Sequence, residues 1–156
     1  WDHLLGVADL AEGTGAPVTM PEGERALLEN AGGFTPAGIT VRSWTPERTV
    51  QGGETVDAAG IPFEVVAVPG HSPAHVAYAA DGCLFSGDVL FAGSVGRTDL
   101  PGADWDTLLA SLRALTERFP PETIVYPGHG PATTLGEELR RNPFLAELRA
   151  EPQPDA

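Results

Sequence analysis

From Glu54 onward the chain breaks into short strand-length runs, residues 55–57, 61–68, 75–80 and 83–86, each closed by a turn. Asp81-Gly82, set between two of these runs, is a strong signal for a type I′ hairpin, whose two central residues both need positive φ. Such a series predicts neighbouring strands in one sheet. Nineteen glycines and fifteen prolines agree with this, being too dense for a long helical bundle yet short of a low-complexity chain.

Around these runs the pattern turns helical. Residues 105–119 place Trp105, Leu108, Leu109, Leu112, Leu115 and Phe119 at helix-face spacings, so this segment should cover one face of the sheet. Residues 123–126 read as one more buried strand. Residues 135–150 read as helical with an interruption at Asn142-Pro143, and residues 151–156 as a frayed polar tail. Upstream, residues 4–11 form a short helix stopped by Gly13 and Gly15, residues 17–20 a strand, and residues 22–30 a second helix ended by Gly32-Gly33. Residues 35–53 show no period and receive no element. No repeat or internal linker is visible, and interleaved short strands and helices predict a layered α/β domain over residues 1–150.

Charge and cysteine usage narrow the partners. Twenty-two acidic residues against nine basic ones give a formal charge of −13, the wrong sign for neutralising phosphates or anionic lipid, so neither nucleic acid nor membrane is expected. Cys83 is the single cysteine and fits a reducing cytoplasm, and no apolar run approaches a membrane span. Because Cys83 precedes Leu84 and Phe85 in a run that reads as a buried strand, its thiol is expected in the core.

Chemistry collects at the ends of elements. Three of the four histidines sit at a boundary beside Gly or Asp: Asp2-His3, Pro69-Gly70-His71 and Pro127-Gly128-His129-Gly130. A Pro-Gly pair stops a strand and turns the next side chain out at the sheet edge, where sites gather. Asp88 follows Gly87 at the end of another apolar run. Imidazole and carboxylate together suit zinc, iron or manganese. Taken singly, each has a plain alternative: a turn histidine, a capping aspartate, or, for Asp2-His3, a helix N-cap.

In this order and spacing the motifs resemble the metallo-β-lactamase fold, in its glyoxalase II (hydroxyacylglutathione hydrolase) branch. They are Trp1-Asp2-His3, matching the end of His-x-His-x-Asp-His; Pro69-Gly70-His71-Ser72-Pro73-Ala74-His75; Phe85-Ser86-Gly87-Asp88; Gly96-Arg97-Thr98-Asp99; Pro127-Gly128-His129-Gly130; and Arg141-Asn142-Pro143-Phe144-Leu145. The resemblance implies an αββα sandwich lacking part of its N-terminal half, with the two missing histidines expected upstream of Trp1. It further implies two divalent metal ions, zinc first, with iron or manganese as alternatives. His71 would bind the first metal, Asp88 would bridge, and Asp2, His3 and His129 would hold the second. His75 would sit beside the site without ligating, and Arg97 would either brace its loop or meet a substrate carboxylate. The implied reaction is hydrolysis of a small-molecule thioester such as S-lactoylglutathione by a hydroxide generated on the metals, with Asp2 also orienting the water or taking its proton. A persulfide dioxygenase with one iron, which shares Gly-Arg-Thr-Asp, and a non-catalytic interaction module are the alternatives.

Overall fold

The computed structural model describes residues 1–149, so the tail expected at 151–156 lies outside the described residues. Two compact units divide the chain, Trp1–Gln51 and Gly52–Ala156, where the sequence suggested no boundary.

In the first unit, helix α1 (Val7–Thr14) begins three residues later than the apolar spacing suggests and runs through Gly13. It ends at Gly15, which takes the left-handed conformation at φ 68° and donates its N–H to the Ala11 carbonyl. Strand β1 (Thr19–Pro21) follows, then a 3-10 turn and helix α2 (Arg25–Glu29). Strand β2 (Arg48–Val50) pairs in parallel with β1, Thr19 opposite Arg48. It falls in the stretch that received no element, because three residues cannot display a period. Arg42 ties the unit together by reaching Asp9 at 2.6 Å and Glu12 at 2.5 Å on α1.

The second unit is built on a six-stranded sheet. Strands β3 (Thr55–Ala58), β4 (Ile61–Ala67), β5 (Val76–Ala80) and β6 (Cys83–Gly87) form an antiparallel meander. Asp81 and Gly82 have φ of 48° and 75°, as a type I′ turn requires. After β6 comes a small separate hairpin of β7 (Leu90–Phe91) and β8 (Ser94–Val95). Helix α3 (Trp105–Arg118) then crosses over to β9 (Ile124–Pro127), which lies parallel to β6. The two-residue strand β10 (Thr133–Thr134) pairs with β9 at the edge, and α4 (Leu135–Arg141) and a 3-10 segment (Pro143–Arg149) complete the fold. The order across the sheet is β10-β9-β6-β5-β4-β3.

One face of this sheet carries the core. Val66, Ala77, Leu84 and Val125 project from alternate strand positions and meet Leu108, Leu112 and Leu115 of α3, with Leu135 and Leu145 closing the far side. Alternation in β6 sends Leu84 and Ser86 inward, so Cys83 is only partly buried, contrary to the core position expected of it. Its neighbour Phe85 is exposed and stacks on Tyr126 with ring centroids 5.3 Å apart.

Asp104 caps α3: its Oδ1 accepts the Thr107 N–H at 2.8 Å and the Thr107 hydroxyl at 2.6 Å. These hydrogen bonds, the side-chain one foremost, hold the Asp104 carboxyl below its ordinary pKa. A carboxyl lowered on folding stabilises the fold above its unfolded-state pKa and loses that contribution as pH falls through the folded value. Asp104→Ala should therefore lower the melting temperature by about 2–4 °C at neutral pH, with the gap to the parent narrowing in acid. A gap that stays constant to low pH would contradict this.

Candidate metal centre

The parallel pairing of β6 and β9 sets the site. Their C-terminal ends lie side by side, Gly87 opposite Pro127, and the Gly128 N–H donates to the Gly87 carbonyl at 2.8 Å. Asp88 and His129 leave the sheet from these neighbouring ends, where open α/β sheets place their ligands.

His71 arrives from the turn after β4. That turn is pinned to α3 by three contacts: Gly70 accepts the Asp104 N–H at 2.8 Å, Pro69 accepts the Ser111 hydroxyl at 2.7 Å, and Gly70 packs on the helix backbone. A Cβ at Gly70 would lie 2.3 Å from Leu108 Cα, and φ there is 137°, so only glycine fits. The same holds at Gly96, where a Cβ would meet the Asp88 carbonyl at 1.9 Å and His71 Cβ at 3.2 Å.

Three of the expected residues converge. Asp88 Oδ2 lies 3.8 Å from His71 Nε2 and 3.5 Å from His129 Nε2. Asp88 and His71 are largely buried, while His129 is about half exposed, with the Phe91 ring 6.1 Å from its own. His71 Nδ1 donates to the Arg97 carbonyl at 2.9 Å; since a carbonyl only accepts, the proton of the neutral ring sits on Nδ1. Nε2 then directs a lone pair at the Asp88 carboxylate. The 3.8 Å between Nε2 and Oδ2 exceeds hydrogen-bond length and leaves room for an ion between the two atoms. Two ligand atoms each about 2.1 Å from a tetrahedral ion are about 3.4 Å apart, so the spacing fits a metal shared by the carboxylate and each imidazole. A backbone carbonyl fixing the far nitrogen of a ligating histidine is the usual support of such sites.

His75 has a different role. Its Nε2 donates to the Ser86 carbonyl at 3.2 Å and its Nδ1 faces the Ser72 hydroxyl at 3.4 Å, while its ring meets the His71 ring edge-on at 5.8 Å. Both nitrogens serve the scaffold, and the ring buttresses His71. Arg97 forks onto Asp99 at 2.5 and 2.6 Å with its guanidinium exposed; it is the backbone carbonyl of Arg97, invisible to any reading of side chains, that touches the site. Asp2 and His3 belong to the first unit, exposed on the turn preceding α1. Neither caps that helix, whose N-cap is Gly6 with no side-chain hydrogen bond.

A family model described as the metallo-beta-lactamase superfamily matches residues 1–129. The hydroxyacylglutathione hydrolase GloC of Haemophilus influenzae is 40% identical over 108 residues, covering 67% of this chain and 51% of its own length, so the chain spans about half of that relative. The crystal structure of BLEG-1 B3 metallo-beta-lactamase superposes with a TM-score of 0.85 at 38% identity, over 93% of this chain and 72% of that one. TTHA1623, crystallised in a di-iron-bound form, gives 0.82 at 47% identity, over 92% and 72%. Sheet, crossover and the histidines and aspartate at the strand ends thus have one explanation: the chain has the metallo-beta-lactamase fold and belongs to the metallo-beta-lactamase superfamily.

Proposed function

We propose that this protein is a metal-dependent hydrolase of small thioesters of the S-lactoylglutathione type. The observation that carries the metal is the Asp88 carboxylate oxygen flanked by the Nε2 atoms of His71 and His129, with the His71 lone pair set by the Arg97 carbonyl. Support for the thioester comes from the likeness to GloC. Bound divalent cations supply an acidified water and a polarised carbonyl at neutral pH. Where the ions bind, His71 and Asp88 would hold the first, and Asp88 and His129 the second, with Asp2 and His3 as the family resemblance implies. On the same resemblance Asp2 would also orient the attacking water and accept its proton. Arg97 braces its loop through Asp99, so a substrate carboxylate reaching its guanidinium would compete with that pair. Imidazole and carboxylate suit zinc, iron and manganese alike, and the two irons of TTHA1623 make the metal a quantity to measure. The same reading places the protein in a reducing cytoplasm, supported by its single thiol, with neither nucleic acid nor membrane as a partner. Among the described residues no helix is long and apolar enough to cross a membrane.

The test is made on the product of the whole reading frame, offered S-lactoylglutathione, glutathione persulfide and a β-lactam in parallel while thiol release, dissolved oxygen and ring opening are recorded. Thiol release from the thioester without oxygen uptake is the expected result. Oxygen uptake with the persulfide alone would assign an iron dioxygenase, ring opening alone a lactamase, and silence on all three an interaction module.

A further inference from the structure

The segment from Asp88 to Arg97 is a hairpin with working groups at its base. Asp88 enters at one end, Arg97 leaves at the other with its carbonyl on His71, and Phe91 on the way out meets His129. The ladder between them is short: Leu90 pairs with Val95, Phe91 with Ser94, and the Gly96 N–H reaches the Val89 carbonyl at 3.2 Å. A two-stranded ribbon of this length is not stable by itself. Its tip is instead gripped from α4. Glu138, only 3% exposed, accepts the Gly93 N–H at 2.8 Å and the Asn142 amide at 2.9 Å on Oε2, and the Thr133 hydroxyl at 2.6 Å on Oε1. Asn142, fully buried, donates its second amide hydrogen to the Ser94 carbonyl at 2.9 Å, and its Oδ1 accepts the Phe144 N–H at 3.0 Å. The turn residue Gly93 and the first residue of β8, Ser94, are thereby held by side chains 45 and 48 positions away in sequence.

We infer that Glu138 and Asn142 are positioning residues of the metal centre: by clamping the tip of the β7–β8 hairpin they fix Asp88 and the Arg97 carbonyl at its base, and so set the affinity for the cation without touching it. The inference rests on the metal-centre reading above. A carboxamide at position 138 can keep the pattern, its oxygen taking Gly93 and Asn142 and its NH₂ donating to the Thr133 hydroxyl, whereas an aspartate at 142 sets a second carboxylate against Glu138 and the Ser94 carbonyl.

Cobalt(II) titrated into the metal-free protein, followed by its visible absorption, reads affinity without turnover, and melting curves of the metal-free proteins are recorded alongside. Glu138→Ala and Asn142→Asp should weaken binding about 10-fold, the lower end of the range for groups bonded directly to a ligand because these two act through the hairpin, while Glu138→Gln stays within about threefold of the parent. Leu115→Ala, a core truncation late in α3, should lower the melting temperature yet leave cobalt affinity in place. Parental affinity in Glu138→Ala, or a loss that Leu115→Ala reproduces at equal destabilisation, would overturn the clamp alone. A loss in Glu138→Gln equal to that in Glu138→Ala would overturn it too. A parent protein that takes up no cobalt would remove the metal-centre reading and this inference together. Should Asn142→Asp not fold, the Glu138 pair still decides.

Discussion

Asp88→Ala should strip the protein of metal and reduce thioester turnover by far more than the ~10–100-fold expected on removing a group that only supports a ligand. Its Oδ2 stands between His71 and His129, so its loss leaves two imidazoles with no anion between them to hold or balance a cation. His75→Ala should stay inside the ~10–100-fold range, because both its nitrogens are engaged by Ser86 and Ser72 and it acts by steadying the His71 ring. Metal content after dialysis and turnover with S-lactoylglutathione check both. Equal losses in the two variants would put His75 among the ligands.

The second large effect is purely steric. Gly70→Ala places a methyl group 2.3 Å from Leu108 Cα and 2.4 Å from its nitrogen, backbone atoms that no rotamer change can move. Overpacking costs about 1–3 kcal/mol and the positive φ adds a similar amount of strain, which for a chain of this size corresponds to a fall in melting temperature of about 10 °C. Gly82→Ala is the natural comparison. Its φ is also positive at 75°, but nothing lies within 4 Å of the added carbon, so it carries the strain without the collision. Matching melting temperatures for the two variants would mean that the His71 turn is not pressed against α3 as described.

Much of this was legible in the residues, and what was not has a physical reason. The meander from Thr55 to Gly87, the type I′ turn and the long face of α3 follow from period, turn chemistry and apolar spacing. That His71, Asp88 and His129 stand close together was legible because glycine and proline mark where strands stop. The hairpin β7–β8 and the strands β2 and β10 are two or three residues long and exist only through their partners. Cys83 misled because an apolar run hides which face each residue takes; only the pairing with β5 decides that. Glu138 looked like any acidic residue on a helix between Glu137 and Arg140, and its burial depends on the hairpin folding back over it. The motif Arg141-Asn142-Pro143 was visible as a helix interruption, but the Asn142 partners lie at Ser94 and Glu138, beyond the reach of local pattern.

The crossover between β6 and β9 has a meaning for the life of the chain as well as for its chemistry. Asp88 and His129 stand 41 positions apart in sequence and are neighbours only while those two parallel strands remain zipped. An ion held by both would reward the folded form alone, and at a free concentration one hundred times its dissociation constant would add about 2.7 kcal/mol to the stability of that form. On the proposed metal centre, then, the supply of cation would set how often the sheet opens to proteases, and its withdrawal would shorten the lifetime of the chain as well as stop its chemistry.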